Sequence, residues 1–103
     1  MQSSLRRIAL LVFIGYAINA QAASDATTRQ MAASCFSCHG THGQSQGGTP
    51  SLAGIQRQHF IKQMQDFKSG ARFATVMHRH AKGYNDSEIE KLAEYFAAQK
   101  RAP

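Results

Sequence analysis

The chain has 103 residues, with 12 basic and six acidic side chains, a formal net charge of +6 and only two cysteines. That length is right for one small domain. The positive excess is mild, and there is neither a Lys/Arg run nor a basic stripe interleaved with aromatics, so a nucleic-acid-binding surface is not expected.

The first 22 residues read as a leader rather than as part of a fold. Arg6 and Arg7 form a positive start, Ile8 to Ile18 an apolar stretch broken only by Gly15 and Tyr16, and Ala20-Gln21-Ala22 a small-x-small cleavage site. This is the pattern of a secretory signal peptide cut after Ala22. A retained membrane anchor is the alternative, but the apolar stretch is shorter than the ~18–20 residues that span a bilayer. The expected division is therefore a cleaved leader over residues 1–22 and one domain over 23–103. No acid lies in the leader, so the domain keeps a modest positive excess.

Ser24 or Asp25 can cap a first helix starting at Ala26. Met31, Ala32 and Cys35 fall on its inward side, and the helix runs into Cys35-Phe36-Ser37-Cys38-His39. That stretch reads C-x-x-C-H, the attachment sequence for c-type haem. The two thiols can add across the vinyl groups of one porphyrin. His39 then offers a neutral imidazole nitrogen to the iron as proximal ligand. A disulfide or thioredoxin-like redox pair, or half of a zinc site, are the rival readings of the cysteines. No βαβ pattern supports the first, no second cysteine pair supports the last, and the following His39 favours haem.

Residues 40–48, rich in Gly and polar side chains, form a loop in which Gly lets backbone pass close to a flat cofactor. His42 in this loop is expected to face solvent. In Thr49-Pro50-Ser51-Leu52-Ala53-Gly54, Pro50 has a carbonyl that can accept the Nδ1–H of a proximal His and so fix its ring. The bland alternative is an ordinary turn proline. Leu52 is expected to pack on the porphyrin.

Gln56 to Ser69 reads as a helix closed by Gly70, with Phe60, Met64 and Phe67 on one stripe. Met64 on that stripe is a core residue before it is a ligand, and His59 lies beside the stripe. A short helix is expected around Phe73–His80. Met77 there carries a soft thioether that favours reduced iron, with His78 and His80 as rivals for the sixth position. On chemistry alone, Met77, either histidine, Met64 or an open site all stay in contention. The last helix starts at a capping box, Asn85 with Glu88, flanked by a Tyr84–Ile89 staple. Its inward stripe is Ile89, Leu92, Ala93 and Phe96, which small Ala32 or Ala33 can approach closely.

These pieces, in this order, resemble a class I cytochrome c of the short bacterial type. The resemblance rests on Cys35-Phe36-Ser37-Cys38-His39-Gly40, Pro50-Ser51-Leu52-Ala53-Gly54, Met77, and Asn85-Asp86-Ser87-Glu88-Ile89 leading to Leu92-Ala93-Glu94-Tyr95-Phe96. Gln63 to Gly70 and Ala81-Lys82-Gly83-Tyr84 also look like the haem domains of the cytochrome subunit of flavocytochrome c sulfide dehydrogenase. The resemblance implies an all-α fold of three to five helices around one covalently attached haem, assembled outside the inner membrane, in the periplasm. It implies Met77 as sixth ligand and the Pro50 carbonyl as the acceptor for His39. Relatives of the second kind usually carry two such domains, whereas this chain has one C-x-x-C-H.

The function expected is that of a periplasmic monohaem carrier, not an enzyme, moving single electrons between redox protein partners. A cytochrome subunit that accepts electrons from a flavoprotein dehydrogenase is the alternative, and a haem-based gas sensor with an open sixth position is a third. Lys62, Lys68, Arg72, Arg79 and Lys82 are expected to form a basic docking rim, with a plain solvated surface as the alternative. No nucleic acid and no membrane anchor are expected of the domain.

Overall fold

The structure is a computed structural model, and it describes residues 25–103; the expected leader and its cleavage site lie outside the described residues. Those residues form helices joined by turns and loops, with no strand among them. Helix α1 covers residues 25–33, α2 Phe36–His39, α3 Arg57–Ser69, α4 Met77–Lys82 and α5 Asp86–Ala97, with a single 3-10 turn at Thr41–Gly43. Five helices agree with the expected all-α class.

The incoming helix does not run unbroken into the cysteines. Ser34 and Cys35 form a turn, with Ser34 Oγ donating back to the Met31 carbonyl at 2.7 Å. A hydroxyl that bonds the preceding turn competes with the helical ladder and bends it. Helix α2 then restarts as one turn with Cys35 as its N-cap.

Helix α3 packs against both α4 and α5. It ends where Gly70 takes a left-handed conformation, φ 82°, which glycine adopts without the Cβ penalty. Helix α5 has the full capping box: Glu88 N–H donates to Asn85 Oδ1 and Asn85 N–H to Glu88 Oε2, both at 2.9 Å. Asp86 and Glu88 in its first turn also suit the helix dipole.

The core is small. Ala32, Phe60, Met64, Ala81, Ile89, Leu92, Ala93 and Phe96 form the buried cluster, and Phe96, Ile89 and Leu92 are the largest side chains wholly enclosed among the described residues. Each of these three contributes on the order of 2–3 kcal/mol by leaving water. Ala32, not Ala33, is the small residue that reaches this cluster. Phe60 and Phe96 lie with ring centroids 5.8 Å apart. Arg57 spans α3 to α5, 3.5 Å from Glu90 and 3.6 Å from Glu94. These partners are exposed, so the pair adds well under ~1 kcal/mol.

One expected element is shifted. The short helix placed around Phe73–His80 begins only at Met77 and runs to Lys82. Residues 71–76 are irregular, and Phe73 is 90% exposed. Thr75 and Val76 are β-branched, Val76 sits at φ −134° and ψ −25°, and no side chain caps the helix start. Nothing in those residues repays winding a helix turn earlier.

Candidate functional site

The site begins with the geometry of one helical turn. Cys35 is the N-cap of α2 and Cys38 lies three residues on within it, a spacing that brings both side chains to one side of the turn. Both thiols are free; Cys35 is half-buried and Cys38 exposed. Burial pushes the Cys35 thiol up from its ordinary value, and the Ser34 hydroxyl nearby opposes that only in part. His39 N–H closes the turn on the Cys35 carbonyl at 2.9 Å, and Gly40 N–H bonds the Phe36 carbonyl at 2.9 Å.

The next residues reverse the chain beneath His39. Gly40 lies at φ 83°, and a Cβ there would meet the Gln44 carbonyl oxygen at 2.0 Å. Gly43, at φ 79°, is wedged 2.9 Å from Ala53 N, Leu52 Cβ and Phe96 Cδ1, measured from where a Cβ would stand. Both Leu52 N–H and Ala53 N–H donate to the Gly43 carbonyl, at 2.8 and 3.0 Å. This fold-back delivers Pro50 to His39: His39 Nδ1 lies 2.6 Å from the Pro50 carbonyl oxygen. A carbonyl can only accept, so Nδ1 carries the proton and Nε2 is left with a free lone pair. That arrangement suits an imidazole whose Nε2 binds a metal, because it fixes the tautomer and strengthens the donor.

The other sequence-derived residues sit as follows. Leu52 and Met77 are half-buried and pack on the core cluster. Met64 is 6% exposed inside that cluster. His80 is exposed, and His78 is half-buried in an open cleft of about 370 Å³ with Phe67 and Phe73. His42 is exposed as expected, but it is not idle. Its Nδ1 lies 2.7 Å from Tyr95 Oη, its ring meets Phe36 edge-on at 5.2 Å, and it holds φ 54°.

The basic rim is only partly available. Lys62 is paired with Asp66 at 2.6 Å, and Lys68 Nζ donates to the Tyr84 carbonyl at 2.6 Å with Asp86 at 3.8 Å. Arg72 lies over the Phe67 ring at 5.3 Å, and Arg72, Arg79 and Lys82 have no carboxylate partner among the described residues.

Sequence reasoning missed a second tie across the site. Tyr84 Oη lies 2.9 Å from Ser34 Oγ. Ser34 spends its only hydroxyl proton on the Met31 carbonyl, so Tyr84 is the donor. Tyr84, two residues past the end of α4, is thereby joined to the turn that bears Cys35. The two are 50 residues apart, and no local pattern marks such a pair.

The donor set can be tested against a haem. Two free thiols lie on one side of a turn, one imidazole has a fixed tautomer, and a thioether packs at the edge of the core. Half-buried apolar side chains pack against the core cluster, among them Met31, Leu52, Ile61, Phe67, Met77 and Tyr84. So many apolar groups left half-covered beside so small a core fit a large flat apolar cofactor. Among the described residues no three His, Cys, Asp or Glu side chains cluster in a way that could hold a metal ion by themselves.

Comparison with known proteins agrees. The cytochrome c family model matches residues 24–100. The cytochrome subunit of sulfide dehydrogenase from Chlorobaculum tepidum is 49% identical over 63 residues, covering 61% of this chain and 57% of the relative. Cytochrome c4 of Pseudomonas aeruginosa is 38% identical over 95 residues, covering 90% of this chain and 47% of the relative. A solved cytochrome c4 from Acidithiobacillus ferrooxidans superposes with a TM-score of 0.60 at 34% identity, covering 62% of this chain and 37% of that one. The chain thus spans about half the length of these relatives. The chain belongs to the cytochrome c family, and its cofactor is covalently attached haem c.

Proposed function

We propose that the protein is a periplasmic monohaem electron carrier. In this reading Cys35 and Cys38 hold the haem through thioethers, His39 is the proximal ligand and Met77 the sixth. The observation that carries it is the 2.6 Å bond from His39 Nδ1 to the Pro50 carbonyl, on the same turn as the two thiols. When bound, haem c supplies a one-electron couple at its iron. Pro50 holds the imidazole in one tautomer and one orientation through the redox cycle. Leu52 and Met77, both half-buried against the core, would help keep water from the bound haem, and Met77 would add a neutral soft donor that favours the reduced state. Met77 is preferred to its rivals because it packs on the core, whereas His80 is exposed, His78 lines an open cleft and Met64 is committed to the interior. His39 and Met77 together would leave no coordination position on the iron for substrate or gas, which fits a chain that carries electrons rather than one that catalyses a reaction. Residues 1–22 act as the export signal that takes it to the periplasm.

The 49% identity to the sulfide dehydrogenase subunit supports a second reading, in which a flavoprotein dehydrogenase is the electron donor. Co-purification with a flavoprotein separates this from a free carrier.

The test is a visible spectrum of the purified protein before and after acid–acetone extraction. Retained haem with a weak oxidised band near ~695 nm supports the Cys35, Cys38, His39 and Met77 assignment, because that band reports sulfur on the iron. Retained haem without the band removes Met77. Free extraction of the haem removes the thioethers.

A further inference from the structure

From Phe67 to Asn85 the chain contains no Asp or Glu, yet it carries Lys68, Arg72, Arg79 and Lys82. The acids nearest in sequence are engaged elsewhere: Asp66 with Lys62, Asp86 with Lys68, and Glu88 in the cap of α5. Arg72, Arg79 and Lys82 therefore face solvent with their charge uncompensated. In the midst of them stand Phe73 at 90% exposure and Val76 at 50%, the two large exposed hydrophobics among the described residues. Phe73 is also on the wall of the open cleft that Phe67, Arg72, His78 and Lys82 share. A phenylalanine held almost wholly in water on a chain with so small a core is a cost to the free protein, and it is the kind of anchor that interfaces bury.

We propose that this acid-free face, centred on Phe73, is the docking surface for a redox protein that presents an apolar pocket rimmed with carboxylates. It rests on the reading of the chain as an electron carrier and narrows the expected rim: Lys62 and Lys68 drop out, and Phe73 and Val76 enter. The charge pattern selects the occupant. A second copy meeting this face by two-fold symmetry would oppose Arg72, Arg79 and Lys82 with the same residues, and like charges across an interface repel. A carboxylate-rimmed pocket neutralises them, steers the encounter and covers the ring. The face includes the segment that leads directly into Met77, four residues after Phe73.

The experiment uses the haem-loaded protein and, as probe, an acidic flavodoxin in its fully reduced form, which gives one electron to the haem iron per encounter. Stopped-flow second-order rate constants are measured against ionic strength. Phe73→Ser is expected to lower the rate constant about fivefold, with Phe73→Leu restoring most of it. Replacing Arg72, Arg79 and Lys82 together by Gln is expected to lower it about tenfold at low salt and flatten its salt dependence. Lys91→Gln, on the exposed side of α5, should stay within about twofold. An unchanged visible spectrum and reduction potential in every variant separates this test from a failure of the haem assignment. Rates for Phe73→Ser within twofold of the parent overturn the proposal. So does a Lys91→Gln effect as large as that of the triple variant. A dimer in sedimentation that Phe73→Ser abolishes also overturns it, in favour of a second copy.

Discussion

The two sides of the site are built to different standards. On the His39 side, residues 40–54 turn through three positive-φ glycines, Gly40, Gly43 and Gly54, and are held by backbone bonds from Leu52 and Ala53 to Gly43, with Pro50 locked on His39. On the Met77 side, residues 71–76 have no regular structure, α4 starts without a side-chain cap, and Phe73 hangs in water. If His39 and Met77 bind the iron as proposed, one side fixes its ligand and the other only presents it, and the two should differ widely in how easily each lets go.

The sharpest way to break this contrast is to disturb the tight side. Gly43→Val must force a branched side chain against Ala53, Leu52 and Phe96 at positive φ. A loss of about 3–5 kcal/mol in chemical unfolding of the haem-loaded protein is expected, by overpacking and backbone strain together. On the loose side, Met77→Ala should cost less, about 1–2 kcal/mol, while removing the ~695 nm band and letting imidazole bind the iron at micromolar rather than millimolar concentration. If both substitutions cost the same stability, the two sides are not different in kind.

Smaller changes refine the picture. Tyr84→Phe deletes the donor to Ser34 and is expected to cost about 1 kcal/mol, read by denaturation. It should also raise the rate of imidazole binding, since that bond ties the end of α4 to the Cys35 turn. The smallest effect is one of pH. Burial pushes the Tyr95 hydroxyl up, with Arg29 opposing. The folded state therefore holds this proton more tightly than the unfolded chain. Stability from that source is complete below the unfolded value of about 10 and is lost as pH rises through the folded one. Tyr95→Phe should flatten the alkaline limb of a stability–pH curve and leave neutral pH nearly unchanged beyond the lost bond to His42.

Much of the tight side could be read from residues alone, because its signals are local. C-x-x-C-H is a one-turn motif, Pro50 lies eleven residues from the histidine it serves, and the box of Asn85 and Glu88 declares the start of α5. The loose side resisted because its structure depends on distant partners. Phe73 is apolar and reads as a helix residue, yet nothing in the fold comes to cover it. Lys68 reads as a surface charge until Tyr84, sixteen residues on, supplies a carbonyl. The Ser34–Tyr84 bond and the setting of His42 between Phe36 and Tyr95 are products of tertiary packing that periodicity does not encode.

The tight side also has a place in time. Gly54 N–H donates to the Phe96 carbonyl, Arg101 reaches the Gly54 carbonyl, Gln44 donates to the Lys100 carbonyl, and His42 pairs with Tyr95. Every one of these joins residues 42–54 to residues 95–101. A chain emerging from its N-terminus makes the cysteine turn long before it makes its fastenings, and contacts so far apart in sequence form late. The loop that follows the cysteines therefore stays unfastened until α5 arrives. A chain ending before residue 95 should accept haem on its cysteines yet leave the Gly54 amide open to hydrogen exchange.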